Sequence, residues 1–195
     1  MSAVLRLLMA CILLVAPGIA RAHAPIIGLT GFPGGLLHPL LVPMHALTIL
    51  AAGLLLGQQP HHRLHAGIFV CGVAAGSIAI AAAYAPAYAS NAVTYAALTV
   101  GALLALGKPI PALLGGLIAA GAGIAIALDS PPEAIFIHDA ILMQLGTLLG
   151  ATVLIAAITE AALRLRRNWQ RVGMRIIGSW ISASALLVMM TRMIR

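Results

Sequence analysis

The chain is organised around the stretch Gly31-Phe-Pro-Gly-Gly-Leu-Leu-His38-Pro39-Leu-Leu-Val-Pro43-Met44-His45, where its first long apolar segment begins. Pro39 and Pro43 each remove a helix hydrogen bond and leave a carbonyl oxygen without its usual donor. The two histidines can bind a metal ion or a proton. On a regular helix His38 and His45 share one face but lie about 10 Å apart along the axis. Both can hold one ion only if the helix kinks at Pro43 or other helices supply partners.

The composition is that of an integral membrane protein. Of the 195 residues 62% are hydrophobic and 8% are charged, with a mean hydropathy of +1.09, whereas a soluble domain is about 25% charged. The formal net charge of +7 does not indicate a nucleic-acid partner. The arginines lie at the edges of the apolar segments, and no aromatic side chains alternate with them. The predicted partner is therefore the lipid bilayer and not nucleic acid.

Residues 1–24 have the features of a secretory signal peptide. Arg6 supplies a positive charge, Leu7–Ile19 supplies the apolar region, and Ala20-Arg-Ala-His-Ala24 contains two small-x-small cleavage sites. An uncleaved first helix is the alternative. Cleavage after Ala22 would make His23 the new N-terminus, where its amine and imidazole could chelate a metal; a histidine that happens to lie near the cut is the other interpretation.

The remaining residues, 25–195, are predicted to form an all-α domain, a polytopic membrane bundle of six transmembrane helices. The predicted spans are Leu36–Leu56, Leu64–Tyr84, Ala92–Leu106, Ala112–Leu128, Ala134–Ile158 and Val172–Met190. Two prolines in Gly107-Lys-Pro-Ile-Pro111 favour a tight hairpin between the third and fourth spans. Three small-x-x-x-small pairs favour close helix packing rather than a pore; they are Gly53/Gly57, Gly72/Gly76 and Gly146/Gly150.

Positive charge orients the predicted spans. Lysine and arginine occur in the first, third and fifth loops, whereas the second loop is uncharged and the fourth, Asp129-Ser-Pro-Pro-Glu133, is acidic. Because Lys and Arg mark the cytoplasmic side, both mature termini are predicted outside, on the periplasmic face of a bacterial inner membrane. Arg192 and Arg195 run mildly against this orientation. Asp129 and Glu133 are predicted to be solvated loop charges, with an outer funnel for cations as the alternative.

Polar side chains inside apolar spans are costly, so they are candidate functional groups. His45 is predicted near mid-bilayer and His38 near the outer face, where His138 and Asp139 open the fifth span. Imidazole suits nickel, cobalt, copper and zinc, and carboxylate broadens that range. We expect the first helix to pack against the fifth, with His38 or His45 near His138 or Asp139. The alternative leaves His138 and Asp139 among the lipid headgroups.

The inner end of the first hairpin carries His61, His62 and His65. They are predicted to form a polar loop that matters less than His38 and His45, with a metal hand-off as the alternative. The sequence contains no nucleophile–base pair, phosphate-binding loop, Cys-x-x-Cys or His-Glu-x-x-His motif. No enzyme activity is therefore predicted.

The chain resembles the HupE/UreJ family of hydrogenase and urease accessory membrane proteins. The resemblance rests on the alanine-rich end of the leader, on Gly31-Phe-x-x-Gly35-x-x-His38-Pro39 and on the six short spans. The first helix of that family carries a pattern close to His-Pro-x-x-Gly-x-Asp-His. His38, Pro39 and His45 match it, whereas the glycine is replaced by Val42 and the aspartate by Met44. A second family motif, roughly His-Gly-x-x-His in the fourth helix, is absent.

This resemblance implies a secondary permease that imports nickel or cobalt for metalloenzyme assembly, with no tightly bound cofactor. Other membrane or metalloenzyme-assembly proteins are implied as further partners. The candidate metal ligands are His23, His38, Met44, His45, His138 and Asp139. The soft sulfur of Met44 makes copper(I) an alternative ion. The departures from the family pattern also leave open a non-transporting accessory subunit that keeps the fold but has lost the metal path.

Overall fold

The computed structural model describes residues 30–84, 86–132, 134 and 136–193, and these residues form seven α-helices and no strand. The helices are α1 Gly31–Leu41, α2 Pro43–Leu56, α3 His62–Ala81, α4 Ala89–Leu106, α5 Ala112–Leu128, α6 Ile137–Arg164 and α7 Asn168–Met193. The predicted all-α class is confirmed. The predicted signal peptide, with His23, lies outside the described residues, as do Glu133 and Arg195.

Among the described helices, four are long and apolar enough to cross a membrane alone: α3, α4, α6 and α7. Helices α1 and α2 pass the same test only together, as one span bent by 68°. Helix α5 has 17 residues, which at about 1.5 Å each give roughly 25 Å, less than the ~30 Å of a hydrocarbon core. The predicted count of six spans is therefore not exact, because the first span is broken and the fourth is short.

Helix α2 is the centre of the bundle and contacts each of the other six described helices. Apart from His45 and Thr48 it is apolar on every side, as is typical of a helix that is enclosed by protein, and all its residues from Ala51 to Leu56 are buried. Around it the other helices form three close pairs: α1 with α6, α3 with α5, and α4 with α7. The polar side chains of α2 are therefore held inside the bundle.

Glycine lets the backbones of paired helices touch. A Cβ added at Gly35 of α1 would overlap the carbonyl of Met143 on α6, and one added at Gly146 or Gly150 of α6 would overlap the backbone of α1. The other two small-x-x-x-small pairs make similar approaches: Gly53 of α2 and Gly57 at its C-terminal cap approach α6, and Gly72 and Gly76 of α3 approach α5. The predicted packing role of these glycine pairs is confirmed.

The two ends of the bundle differ in charge. At one end the backbone N–H of Ile110, in the loop between α4 and α5, donates at 3.1 Å to Oε1 of Gln59, in the loop between α2 and α3. At the same end Nε of Arg175 on α7 donates at 2.9 Å to the carbonyl oxygen of Ala105 on α4. We call this the cationic end; it carries Arg63, Lys108, Arg164, Arg166, Arg167, Arg171 and Arg175. The opposite end, with Asp129 and Asp139, is the acidic end, although Arg192 also lies there and donates to Asn91 Oδ1 at 2.9 Å.

Candidate metal-binding site

The candidate site begins at the break between α1 and α2. A proline ring disfavours the helical conformation in the residue before it, and Val42 accordingly is extended, with φ −83° and ψ 112°. Pro43 then occupies the first turn of α2, where its missing N–H is tolerated. The outcome is the 68° bend between the two helices.

The bend brings two histidines together. On a straight helix they would lie about 10 Å apart, but the ring centroids of His38 and His45 are 5.3 Å apart, with the planes at 61°. His45 is completely buried and His38 is half-buried. Imidazole nitrogens bind metals at about 2.1 Å, so two rings at this separation can share one ion. The kink at Pro43 that a shared site requires is therefore present.

His45 is held by an acid from another helix. Its Nε2 lies 3.0 Å from Oδ2 of Asp129, the residue that caps the C-terminus of α5. Because a carboxylate only accepts, Nε2 carries the proton and donates. The other ring nitrogen, Nδ1, is buried and has no hydrogen-bond partner in the part of the chain that the structure describes. Metal-binding histidines are usually oriented in this way, with one N–H on an oxygen acceptor and the second nitrogen directed at the metal.

The prediction that Asp129 is a solvated loop charge is wrong. Its side chain is only 21% exposed and is paired with a fully buried imidazole. The available sequence signal was a carboxylate directly after an apolar segment of 17 residues, which does not by itself identify His45 as the partner. Hereafter His38, His45 and Asp129 are called the histidine–aspartate cluster.

Gln144 of α6 is a further polar group near this acid. Its Nε2 donates to the carbonyl of Ser130 at 3.3 Å, one residue after Asp129. Its Oε1 is buried and has no hydrogen-bond partner among the described residues. An amide within an apolar helix was the available signal for this residue, but only the structure ties it to the loop that carries Asp129.

His138 and Asp139 lie at the surface. Their side chains are 79% and 44% exposed, and His138 Nδ1 is 3.5 Å from Asp139 Oδ1. The predicted packing of the first span against the fifth is confirmed, because α1 lies along α6. The predicted pairing of His45 with Asp139 is wrong, because the carboxylate that contacts His45 is that of Asp129. A Cβ on Gly31 would lie 3.9 Å from Asp139 Oδ1, so the start of α1 is level with Asp139, and His38 is about two turns further along.

Two predicted ligands remain, Met44 and His23. Met44 is half-buried and packs against the hydrophobic core. His23 lies outside the described residues. Within the described ranges no group of three or more His, Cys, Asp or Glu side chains is arranged to hold a metal ion. The cluster thus offers two imidazoles, one of them oriented by a carboxylate, and any bound ion would keep positions open for water.

The model of the HupE / UreJ protein family matches residues 11–188. No curated protein and no solved structure gives a significant match. The matched region contains α1 to α6 and most of α7, including every residue of the histidine–aspartate cluster. The chain therefore belongs to the HupE/UreJ family.

Proposed function

We propose that this protein is a secondary permease of the bacterial inner membrane that carries nickel or cobalt and supplies metalloenzyme assembly. The supporting observation is the histidine–aspartate cluster, in which a bent helix presents two imidazoles inside an apolar bundle. A polar side chain in such a place is costly and persists only with polar or metal partners. Imidazole nitrogen suits both ions, and membership of the HupE/UreJ family agrees with them.

Asp129 supplies the acid that the first helix lacks. The family pattern has an aspartate directly before its second histidine, where this chain has Met44. The carboxylate of Asp129 reaches His45 from α5 instead, at 3.0 Å. Nickel and cobalt are favoured over copper(I), because the proposed ligand atoms are the imidazole nitrogens of His38 and His45 and water oxygens. The sulfur of Met44 belongs to a side chain that packs against the core.

A site with only two imidazole ligands suits transport, because the bound ion keeps open coordination positions. An ion that moves along a path must bind strongly enough to enter and weakly enough to leave. In the proposed orientation the acidic end faces the periplasm, which attracts cations, and the cationic end faces the cytoplasm. Membrane potential or an ion gradient drives the step, since the sequence contains no nucleotide-binding motif.

The proposed orientation predicts where reporters function. A periplasmic reporter fused after Met193 is expected to be active, and the same reporter inserted in the Gly107–Pro111 hairpin is expected to be inactive. Mass spectrometry of the purified protein is expected to show a first residue of His23 or Pro25. An intact Met1 would contradict signal cleavage, and an inactive reporter after Met193 would contradict the orientation.

Uptake of radioactive nickel and cobalt by expressing cells tests the function itself. His38→Ala and His45→Ala are each expected to lower uptake at least about tenfold, because loss of a ligand matters no less than loss of its supporting partner. His138→Ala is the matched control, since this histidine is 79% exposed, and its uptake is expected to equal that of the wild type.

A non-transporting accessory subunit is the second candidate, favoured by the lack of a three-residue ligand group among the described residues. In that case cells that express the wild-type protein would take up no more metal than cells that lack it. If His38→Ala and His45→Ala both took up metal normally, the protein would still be a transporter, but the histidine–aspartate cluster would not be part of its metal path.

A further inference from the structure

A second pair of histidines lies at the cationic end, where α3 begins. His61 precedes the first residue of α3 and His65 follows one turn later, so the two share a face. Their ring centroids are 6.2 Å apart, with the planes at 70°. His62 and His65 were predicted to lie in a loop, but both belong to the first turn of α3. His65 is only 1% exposed.

The ring of His65 is fixed between α3 and α5. Its Nε2 lies 2.9 Å from the carbonyl oxygen of Ala112, and because a carbonyl only accepts, Nε2 carries the proton. Nδ1 therefore presents a lone pair, which is buried and has no hydrogen-bond partner within the described ranges. Gly115 makes room for the ring, since a Cβ there would lie 2.6 Å from Cε1 and 3.0 Å from Nδ1.

His65 and His45 share one arrangement at opposite ends of the bundle. In each, Nε2 donates to an oxygen, to Ala112 or to Asp129. In each, Nδ1 is buried without a hydrogen-bond partner among the described residues. A second imidazole lies 6.2 Å away in one case and 5.3 Å away in the other. A buried polar atom without a partner is uncommon and requires a reason, and a ligand that binds transiently supplies one.

We propose that His61 and His65 form a second site for a divalent transition metal, at the cationic end. Nδ1 of His65 and one ring nitrogen of His61 are the ligands, and water fills the remaining positions. Two histidines four residues apart on one helix face bind such an ion in the His-Glu-x-x-His motif, and this pair has the same spacing, with His61 at the N-terminal cap of α3. As the exit of the path, this site deepens the proposed function and rests on it. His62 is not one of the two proposed ligands, because the ring that neighbours His65 is that of His61; His62 instead has its Nδ1 3.3 Å from the carbonyl oxygen of Gln59.

The test is a cobalt(II) titration of the full-length purified protein, made without a histidine tag and followed by absorption spectroscopy and equilibrium dialysis. The wild type is expected to bind two ions. His61→Ala is the decisive variant, since this residue is exposed and its loss leaves the buried contact of His65 intact. It is expected to weaken one of the two sites at least about tenfold. His62→Ala is the matched control and is expected to bind as the wild type does.

A variant with both His38→Ala and His45→Ala separates the two sites. If it loses the other ion, both sites stand. If it binds as the wild type while His61→Ala loses an ion, the site at the acidic end fails and the second site survives. If His61→Ala binds as the wild type, the second site is overturned while the proposed function stands. If His62→Ala loses as much as His61→Ala, the binding is adventitious, by surface histidines, and the second site is again overturned.

Discussion

Asp129→Asn is expected to lower nickel and cobalt uptake by roughly 10- to 100-fold, the loss typical of removing the partner of a metal-binding histidine. Asparagine can still accept the hydrogen bond from His45 Nε2, so the bundle is expected to fold. The negative charge beside the imidazole is lost, however, and with it the preference for a cation at this position. Uptake divided by the amount of folded protein, from size-exclusion chromatography, is the measurement.

Asp139→Asn is the matched control for this experiment. It makes the same chemical change at the same end of the bundle, but in a half-exposed side chain whose carboxylate lies 3.5 Å from the exposed ring of His138. Uptake is expected to stay at the wild-type level. An equal loss in both variants would mean that uptake needs acidic charge at this end rather than the pairing with His45. Normal uptake in Asp129→Asn would remove the role assigned to this residue.

Gly35→Ala is expected to cause the largest loss of stability. The added Cβ would overlap the carbonyl of Met143, which belongs to the backbone of α6 and cannot move aside as a side chain would. Overpacking costs typically 1–3 kcal/mol, and more where the neighbour is rigid, so we expect about 3 kcal/mol. For a chain of this size that lowers Tm by roughly 6–12 °C. Thermal unfolding in detergent measures the shift.

Gly121→Ala controls for the helix itself. Gly121 lies inside α5, and a Cβ there meets no heavy atom within 4 Å. Because alanine favours a helix by about 0.5–1 kcal/mol over glycine, Tm is expected to stay constant or rise slightly. A fall as large as that of Gly35→Ala would contradict the packing explanation. Gly35→Ala is also expected to lower uptake, since α1 carries His38.

The sequence predicted much of the architecture because its signals are local. Hydrophobic composition indicates a membrane bundle, and the fourth predicted span coincides with α5, Ala112–Leu128. The two prolines of Gly107–Pro111 correctly predicted a hairpin between α4 and α5. The need for a kink at Pro43 also followed from local chemistry, because residue 43 lacks an N–H and restricts Val42. The sequence did not show, however, that the first span forms two separate helices.

The partner of His45 could not be predicted in the same way. Asp129 is 84 residues away in the chain, and an acid followed by Ser-Pro-Pro has the composition of a solvated turn. Hydropathy estimates depth but not which helix faces which. His138 and Asp139 were assigned a depth equal to that of His38, whereas α1 begins level with Asp139. The burial of His65 was missed for a related reason, because it depends on a contact with Gly115 of α5 that the sequence does not show.

The central position of α2 has a consequence for biogenesis. This helix is synthesised before any of α3 to α7, although it contacts all of them in the finished bundle. The 84 residues between His45 and Asp129 take roughly 4–17 s to translate at about 5–20 residues per second. Until then the imidazole lacks its carboxylate, and α6, against which α1 packs, is made later still. The histidine–aspartate cluster is therefore completed only after α5 has been synthesised, and its packing against α6 comes later still.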